Sequence, residues 1–316
     1  MRLGYFLSTE ELGPAQLIEQ ARAAEEAGFS ALWISDHFHP WIDAQGQSPF
    51  VWSMIGAISQ VCRLPITTAV TCPTVRIHPA IIAQAAATSA VLCEGRFVLG
   101  VGSGEALNEH ILGDPWPEAE VRLEMLEEAV ELMRLLWTGK TVSHRGRYYT
   151  VENARIYTMP PEPPPVYVSG FGARSIDLAA RIGDGFVSTR PDADAIRKFR
   201  SGGGQGKPTQ AGAKACYART EDEALSIAYE LWPTSGLPGE LAQVLPTPHH
   251  FEQAAELVTP DMLRGQITCG PDPDTHLKMI NTYAEAGFDE LYVANIGPHH
   301  EGFFELYAER ILPQAG

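Results

Sequence analysis

The chain has 316 residues, 45% hydrophobic and 20% charged, with 29 glycines and 24 prolines, a composition that excludes disorder, coiled coil and collagen. No apolar run approaches the ~18 residues that a bilayer-spanning helix needs. Lys and Arg number 23 against 39 Asp and Glu, a formal charge of −16, which argues against nucleic acid or an anionic membrane as the main partner but not against an anionic small molecule held in a local positive pocket. The five cysteines (Cys62, Cys72, Cys93, Cys216 and Cys269) are scattered, odd in number and without a C-x-x-C pair. Reduced thiols are expected rather than a disulfide framework or structural zinc. The N-terminus enters a strand-like run at once and lacks a signal-peptide layout, so a cytoplasmic protein is expected.

Short apolar runs alternate with helical patterns, as in parallel βαβ units. Leu3–Leu7 reads as the first strand. Pro14 suits the first turn of the helix that follows, Leu17, Ala21 and Ala24 form its apolar stripe, and Gly28 stops it. Ala31–Ser35, Ile66–Thr71 and Arg96–Val101 read as strands two to four, and Arg122–Trp137 as an amphipathic helix from the spacing of Leu123, Leu126, Val130, Met133 and Trp137. Residues 141–158, β-branched and aromatic around Gly146, read as an inserted hairpin. Val166–Ser169 is the fifth strand, with a helix Arg174–Ile182 ending at Gly183; Phe186–Ser188 is the sixth and Ala215–Ala218 the seventh. Gly202-Gly203-Gly204 reads as a flexible stretch and 222–263 as a helical insertion broken by prolines. Leu291–Asn295 is the eighth strand, and a helix Gly302–Leu312 closes the chain.

Pro14 precedes Gly28-Phe29 as Pro273 precedes Gly287-Phe288, and an apolar strand follows in both places. Repeated helix–Gly–strand units favour an eight-fold (β/α)8 TIM barrel over an open doubly wound sheet. The expectation is a single α/β barrel domain over 1–316, with insertions at about 141–160 and 200–270, since such barrels reach this length as one domain.

In a barrel, chemistry belongs at the carboxyl ends of the strands. The second strand ends in Ser35-Asp36-His37-Phe38-His39-Pro40-Trp41, where an imidazole beside a carboxylate can act as a base and an indole can wall a pocket. A structural Asp–His pair is the competing reading. His-x-His also suits a metal hydrolase, but no histidine lies between His144 and His249 to complete a ligand set, so no metal is expected. The fourth strand runs into Gly102-Ser103-Gly104-Glu105-Ala106-Leu107-Asn108-Glu109. Small residues there let a flat ring approach the backbone, with Glu105 and Asn108 one helical turn apart; a plain glycine-rich turn is the alternative, and the spacing is not the dinucleotide fingerprint. The fifth strand opens a helix through Ser169-Gly170-Phe171-Gly172-Ala173-Arg174-Ser175, where free amides and an arginine suit a phosphate, or simply cap a helix.

Five stretches, SDHFHPW (35–41), TCPTVRIHPAIIAQ (71–84), GRFVLGVGSGEALNEH (95–110), RGRYYTVENARIYT (145–158) and ARIGDGF (180–186), resemble the luciferase-like barrel superfamily, and within it the deazaflavin (coenzyme F420)-dependent oxidoreductases of the glucose-6-phosphate dehydrogenase type. The resemblance spans the barrel and weakens across 190–265. It implies a bacterial luciferase-like TIM barrel, a homodimer, F420 as cofactor and a small-molecule substrate, a sugar phosphate or an alcohol. His37, Trp41 and Glu105 match the family's catalytic set: His37 takes the substrate hydroxyl proton, Glu105, needing to be protonated, supplies one to the reduced ring, and Trp41 helps hold the hydroxyl. Asp36 would contact the deazaflavin, and Ala69-Val70 matches a non-proline cis peptide behind its ring. Ser103, Gly104, Glu105 and Asn108 would line the ring's polar edge, and Gly170, Gly172, Ala173, Arg174 and Ser175 would hold the cofactor phosphate. The family's substrate-phosphate lysines are not matched: Asp192 and Gly265 fall near those positions, with Arg190 and Arg264 as neighbouring substitutes. The rivals are an FMN-dependent monooxygenase of the same superfamily, a non-catalytic ligand-binding barrel and a metal hydrolase.

Overall fold

The computed structural model describes residues 1–315. Its strands are β1 (Arg2–Leu7), β2 (Leu32–Ile34), β3 (Ile66–Thr68), β4 (Phe97–Val101), β5 (Val142–Arg145), β6 (Thr150–Ala154), β7 (Val166–Ser169), β8 (Gly185–Ser188), β9 (Thr209–Cys216), β10 (Ile267–Cys269) and β11 (Glu290–Asn295). Eight of them run β1-β2-β3-β4-β7-β8-β9-β11, all parallel, and the ring closes because β1 pairs with both β2 and β11. This is the expected (β/α)8 barrel. The hairpin β5–β6 projects between β4 and β7, where the inserted hairpin was expected.

The two proline–glycine units behave alike. The helices Pro14–Ala27 and Pro273–Ala286 both start on proline and end on a left-handed glycine, Gly28 at φ 97° and Gly287 at φ 96°, a conformation that a side chain disfavours.

The barrel is filled, so a ligand must sit above it rather than in it. Trp33 stacks on Tyr292 with ring centroids 4.6 Å apart, and glycines make the room: a Cβ at Gly212 would stand 2.5 Å from the Trp33 ring, and one at Gly4 2.3 Å from Tyr292. Gln210 ties the layer together, accepting from Trp33 Nε1 at 2.9 Å and donating to the Tyr292 hydroxyl and to Glu290, each at 3.0 Å.

Three departures from the sequence reading have local causes. The seventh barrel strand is Thr209–Cys216, not Ala215–Ala218. Gly212 is small because a Cβ there would meet the Trp33 ring, and the alternate Ala211 and Ala213 pack outward into the main hydrophobic core, so the segment carries little strand propensity of its own. The glycine run forms an irregular helical turn, Arg200–Gly204, with Gly203 at φ 116°. Finally, β10 was not anticipated; its three residues pair with Lys214–Cys216, beyond the stretch of β9 that β8 occupies, and so short a segment has no periodicity to read. The third strand is regular only to Thr68; the Ala69–Val70 peptide is cis, and Thr71 rejoins β4 through a bridge to Val101.

Candidate active site

The loop after β1 carries Ser8, Thr9, Glu10 and Glu11 over the mouth of the barrel, and the loop after β2 lays His37 against it. His37 Nε2 stands 3.4 Å from Glu10 Oε1, with both side chains nearly buried. Ser8 and Ser35 donate to Glu10 Oε2 at 2.9 and 2.7 Å. Burial pushes the Glu10 carboxyl up, but the neighbouring His37 and the two hydroxyls outweigh it and hold the group below the usual carboxylate range. At the other edge of the imidazole, Nδ1 lies 3.1 Å from the His39 carbonyl. Nδ1 thus meets an acceptor in the His39 carbonyl and a donor in the Asn108 amide nitrogen, 3.2 Å away, while Nε2 faces Glu10. An imidazolium at this position has an acceptor at each nitrogen.

Trp41 stacks obliquely on His37, centroids 5.0 Å apart, and meets Phe251 edge-on at 5.1 Å. Asn108, fully buried, braces the loop: its Oδ1 accepts from the amides of Phe38 and His39 at 2.8 and 3.1 Å, and its Nδ2 lies 3.2 Å from His37 Nδ1. Glu105 precedes the short helix Ala106–Glu109 without a side-chain bond to it and stays half-exposed beside half-exposed Ser103 and Gly104. The two residues expected on one side of a turn therefore divide: Asn108 reaches into the β2 loop, and Glu105 remains at the mouth.

Asp36 is turned into the protein. Arg76 Nη2 lies 2.8 Å from its Oδ1, and the Thr71 hydroxyl donates to Oδ2 at 2.8 Å. Arg76 also stands 3.4 Å from Glu109, whose Oε2 accepts from the Arg76 amide at 2.8 Å. Burial, opposed by Arg76, pushes Glu109 up to about 7.

At the end of β7, Ser175 Oγ accepts from the amides of Phe171 and Gly172, each at 3.1 Å, so Gly172 caps the helix Ala173–Ile182. Gly170 is required by close approach, since a Cβ there would come 2.9 Å from the Ser175 backbone. Arg174 pairs with Glu120 at 3.0 Å, both exposed; such a pair contributes well under ~1 kcal/mol and is easily exchanged. The two candidate phosphate arginines are not joined. Arg190 lies over the Phe171 ring at 5.6 Å, beside the β7 loop, while Arg264 is engaged by Glu221, Asp222 and Asp261.

Sequence reasoning passed over Glu10, Glu11, Arg76 and Glu109. Glu10 and Glu11 stand in a polar run (STEE, 8–11) that reads as a surface turn. Glu11 accepts from the Trp232 indole and, at 3.0 Å, from the Gly297 amide; burial, reinforced by Glu10, raises it to about 7 against those bonds. An acid raised in the folded state loses its stabilising contribution as pH climbs from its unfolded value of about 4.5 to about 7. Glu11→Gln is therefore expected to gain thermal stability relative to the parent between pH 5 and 8. A gap in Tm that stays constant over that range would contradict this.

The closed parallel barrel, with its candidate residues gathered at the carboxyl ends of the strands, defines the class: a (β/α)8 barrel whose site is built by its βα loops. Within that class the match is specific. Residues 1–290 fit the family described as luciferase-like monooxygenase, and the chain belongs to it. It is 35% identical to an F420-dependent glucose-6-phosphate dehydrogenase of Nakamurella multipartita, over 99% of this chain and 96% of that one, and 36% identical to one of Segniliparus rotundus, over 99% and 98%. Among solved structures it is similar to an F420-dependent secondary alcohol dehydrogenase in complex with an F420–acetone adduct, with TM-score 0.92 and 31% identity over 100% of this chain and 99% of that one.

Proposed function

We propose that this chain is a coenzyme F420-dependent dehydrogenase acting on a CH–OH group, with a sugar phosphate such as glucose 6-phosphate as substrate. The observation that carries the reading is the buried His37–Glu10 pair beside Trp41, facing a mouth whose other walls fit a flat ring and a phosphate. The fit rests on the backbone. Val70 projects from the cis peptide beside Gly102, where a Cβ would lie 2.7 Å from it, and Gly104, at φ 77°, has the Cys72 sulfur 2.6 Å from where its Cβ would stand. Only glycines allow that shelf. The amides of Ala173 and Arg174 head a ten-residue helix, a ready site for an anion.

Bound there, the deazaflavin would supply a hydride acceptor at C5. Val70, Ser103, Gly104 and Asn108 would form the ring's surroundings, with Asp36 ordering that wall through Arg76 and Thr71. Gly170, Gly172, Ala173, Arg174 and Ser175 would hold its phosphate. His37 Nε2 accepts the proton of the substrate hydroxyl, and Glu10 stabilises the imidazolium so formed. Glu105, at the open edge, is placed to exchange a proton there. Trp41 and Phe251 exclude water from the hydroxyl.

The experiment is the visible absorbance of oxidised F420 with the protein and glucose 6-phosphate: bleaching that needs both supports the reading, and a protein that does not bind the cofactor contradicts it. A second reading, an uncharged alcohol as substrate, is favoured by the three carboxylates that engage Arg264; bleaching with 2-propanol but not with the sugar phosphate would select it. A cytoplasmic homodimer belongs to the same proposal, and light scattering of the purified chain measures its stoichiometry.

A further inference from the structure

Alternate residues of β9 project into the barrel. Gln210 joins the Trp33–Tyr292 layer and Gly212 leaves room for the Trp33 ring. Lys214, next in the series, therefore stands on top of that layer, at the mouth. Its ammonium lies 4.3 Å from the centroid of the Trp232 ring, and among the described residues it makes no hydrogen bond or ion pair.

The nearby carboxylates are otherwise engaged. Glu10 is taken by His37, Ser8 and Ser35, and Glu11 by the Trp232 indole and the Gly297 amide. Burial pulls the Lys214 ammonium below the usual lysine range, even though Glu10 and Glu11 favour its charge. The indole face attracts the cation but satisfies none of its three N–H donors. The ammonium of this half-buried lysine is left without a protein acceptor, and an oxygen of a ligand at the mouth can supply one. Trp232, beneath the ammonium, and Trp41, beside His37, belong to one hydrophobic cluster, and Glu10, which His37 meets at 3.4 Å, is near enough to Lys214 to favour its charge.

We propose that Lys214 is a substrate-binding, specificity-determining residue, donating to a second oxygen of the substrate while His37 takes the reacting hydroxyl. This rests on the CH–OH dehydrogenase reading. Two-point attachment fixes which carbon faces the hydride acceptor, and it favours a polyhydroxylated or phosphorylated compound over an alcohol with one oxygen.

The test uses the F420-loaded full chain with glucose 6-phosphate and 2-propanol as probes. A hydrogen bond to a charged donor is worth about tenfold or more. Lys214→Met is thus expected to lower the ratio of kcat/KM for glucose 6-phosphate over 2-propanol by about tenfold or more, mainly through KM. Lys214→Arg, which keeps the charge, recovers part of the loss and guards against a variant that merely fails to fold. An unchanged ratio, or a fall in kcat alone that is equal for both probes, overturns the proposal. If the parent bleaches F420 with neither probe, the dehydrogenase reading falls by itself. Calorimetric titration of glucose 6-phosphate then decides on Lys214: binding weakened in Lys214→Met supports it, and equal or absent binding overturns it.

Discussion

His37→Ala is expected to cut the rate of F420 reduction by about 10²–10⁴-fold, the usual contribution of a general base, while F420 still binds. The size follows from the surroundings of the imidazole. Nε2 faces the buried Glu10 carboxylate, and among the described residues no other histidine at the mouth is held against a buried carboxylate. His39 uses Nδ1 on the Leu107 carbonyl, and His110 uses its own on the Ala106 carbonyl. Glu10→Gln is expected to give a smaller loss in kcat, because the base survives and only the countercharge for the imidazolium goes. Stopped-flow absorbance of F420 separates the two effects from changes in binding. A His37→Ala protein that reduces F420 at the parental rate would remove His37 from the mechanism.

Arg76→Met carries the largest expected loss of stability, about 3–5 kcal/mol. The substitution leaves Asp36 and Glu109 facing each other inside the protein, both side chains about 1% exposed, with their common cation gone. The urea midpoint measures it. The cost is expected to be largest at alkaline pH and to shrink as pH falls toward 7, because Glu109, already raised to about 7 beside Arg76, goes higher without it, takes up its proton earlier than in the parent, and the repulsion disappears. Adding Glu109→Gln should recover part of the loss at pH 7. A purely additive double mutant would mean that the two residues are not coupled. Because Asp36 and Thr71 border the cis peptide, F420 affinity should fall along with stability.

Much of the architecture was legible before any coordinates. Pro14 and Gly28 bracket a helix whose capping follows from backbone chemistry alone, and the same bracket at Pro273 and Gly287 signals repetition. The His37–Trp41 cluster and the glycines of 102–104 stood at strand ends because a barrel puts its loops there. What was not legible depends on distance in sequence. Glu10 becomes a functional carboxylate only when β1 and β2 lie side by side and Ser35 reaches it. Lys214 sits among small residues that hid the strand, and of these Gly212 answers to Trp33, 179 positions earlier in the chain.

The alternation of strand and helix, the helix stops, the hairpin insertion and the residue types gathered at the strand ends are set along the chain. These rest on local forces: periodic burial, capping, and the φ freedom of glycine. Tertiary structure alone decided which carboxylate holds the histidine, which arginine joins Asp36 to Glu109, and that Arg264 is engaged while Lys214 is not. Charge pairing inside a folded protein depends on separations of a few ångströms and on what burial removes from water, and neither is written in the neighbours of a residue along the chain.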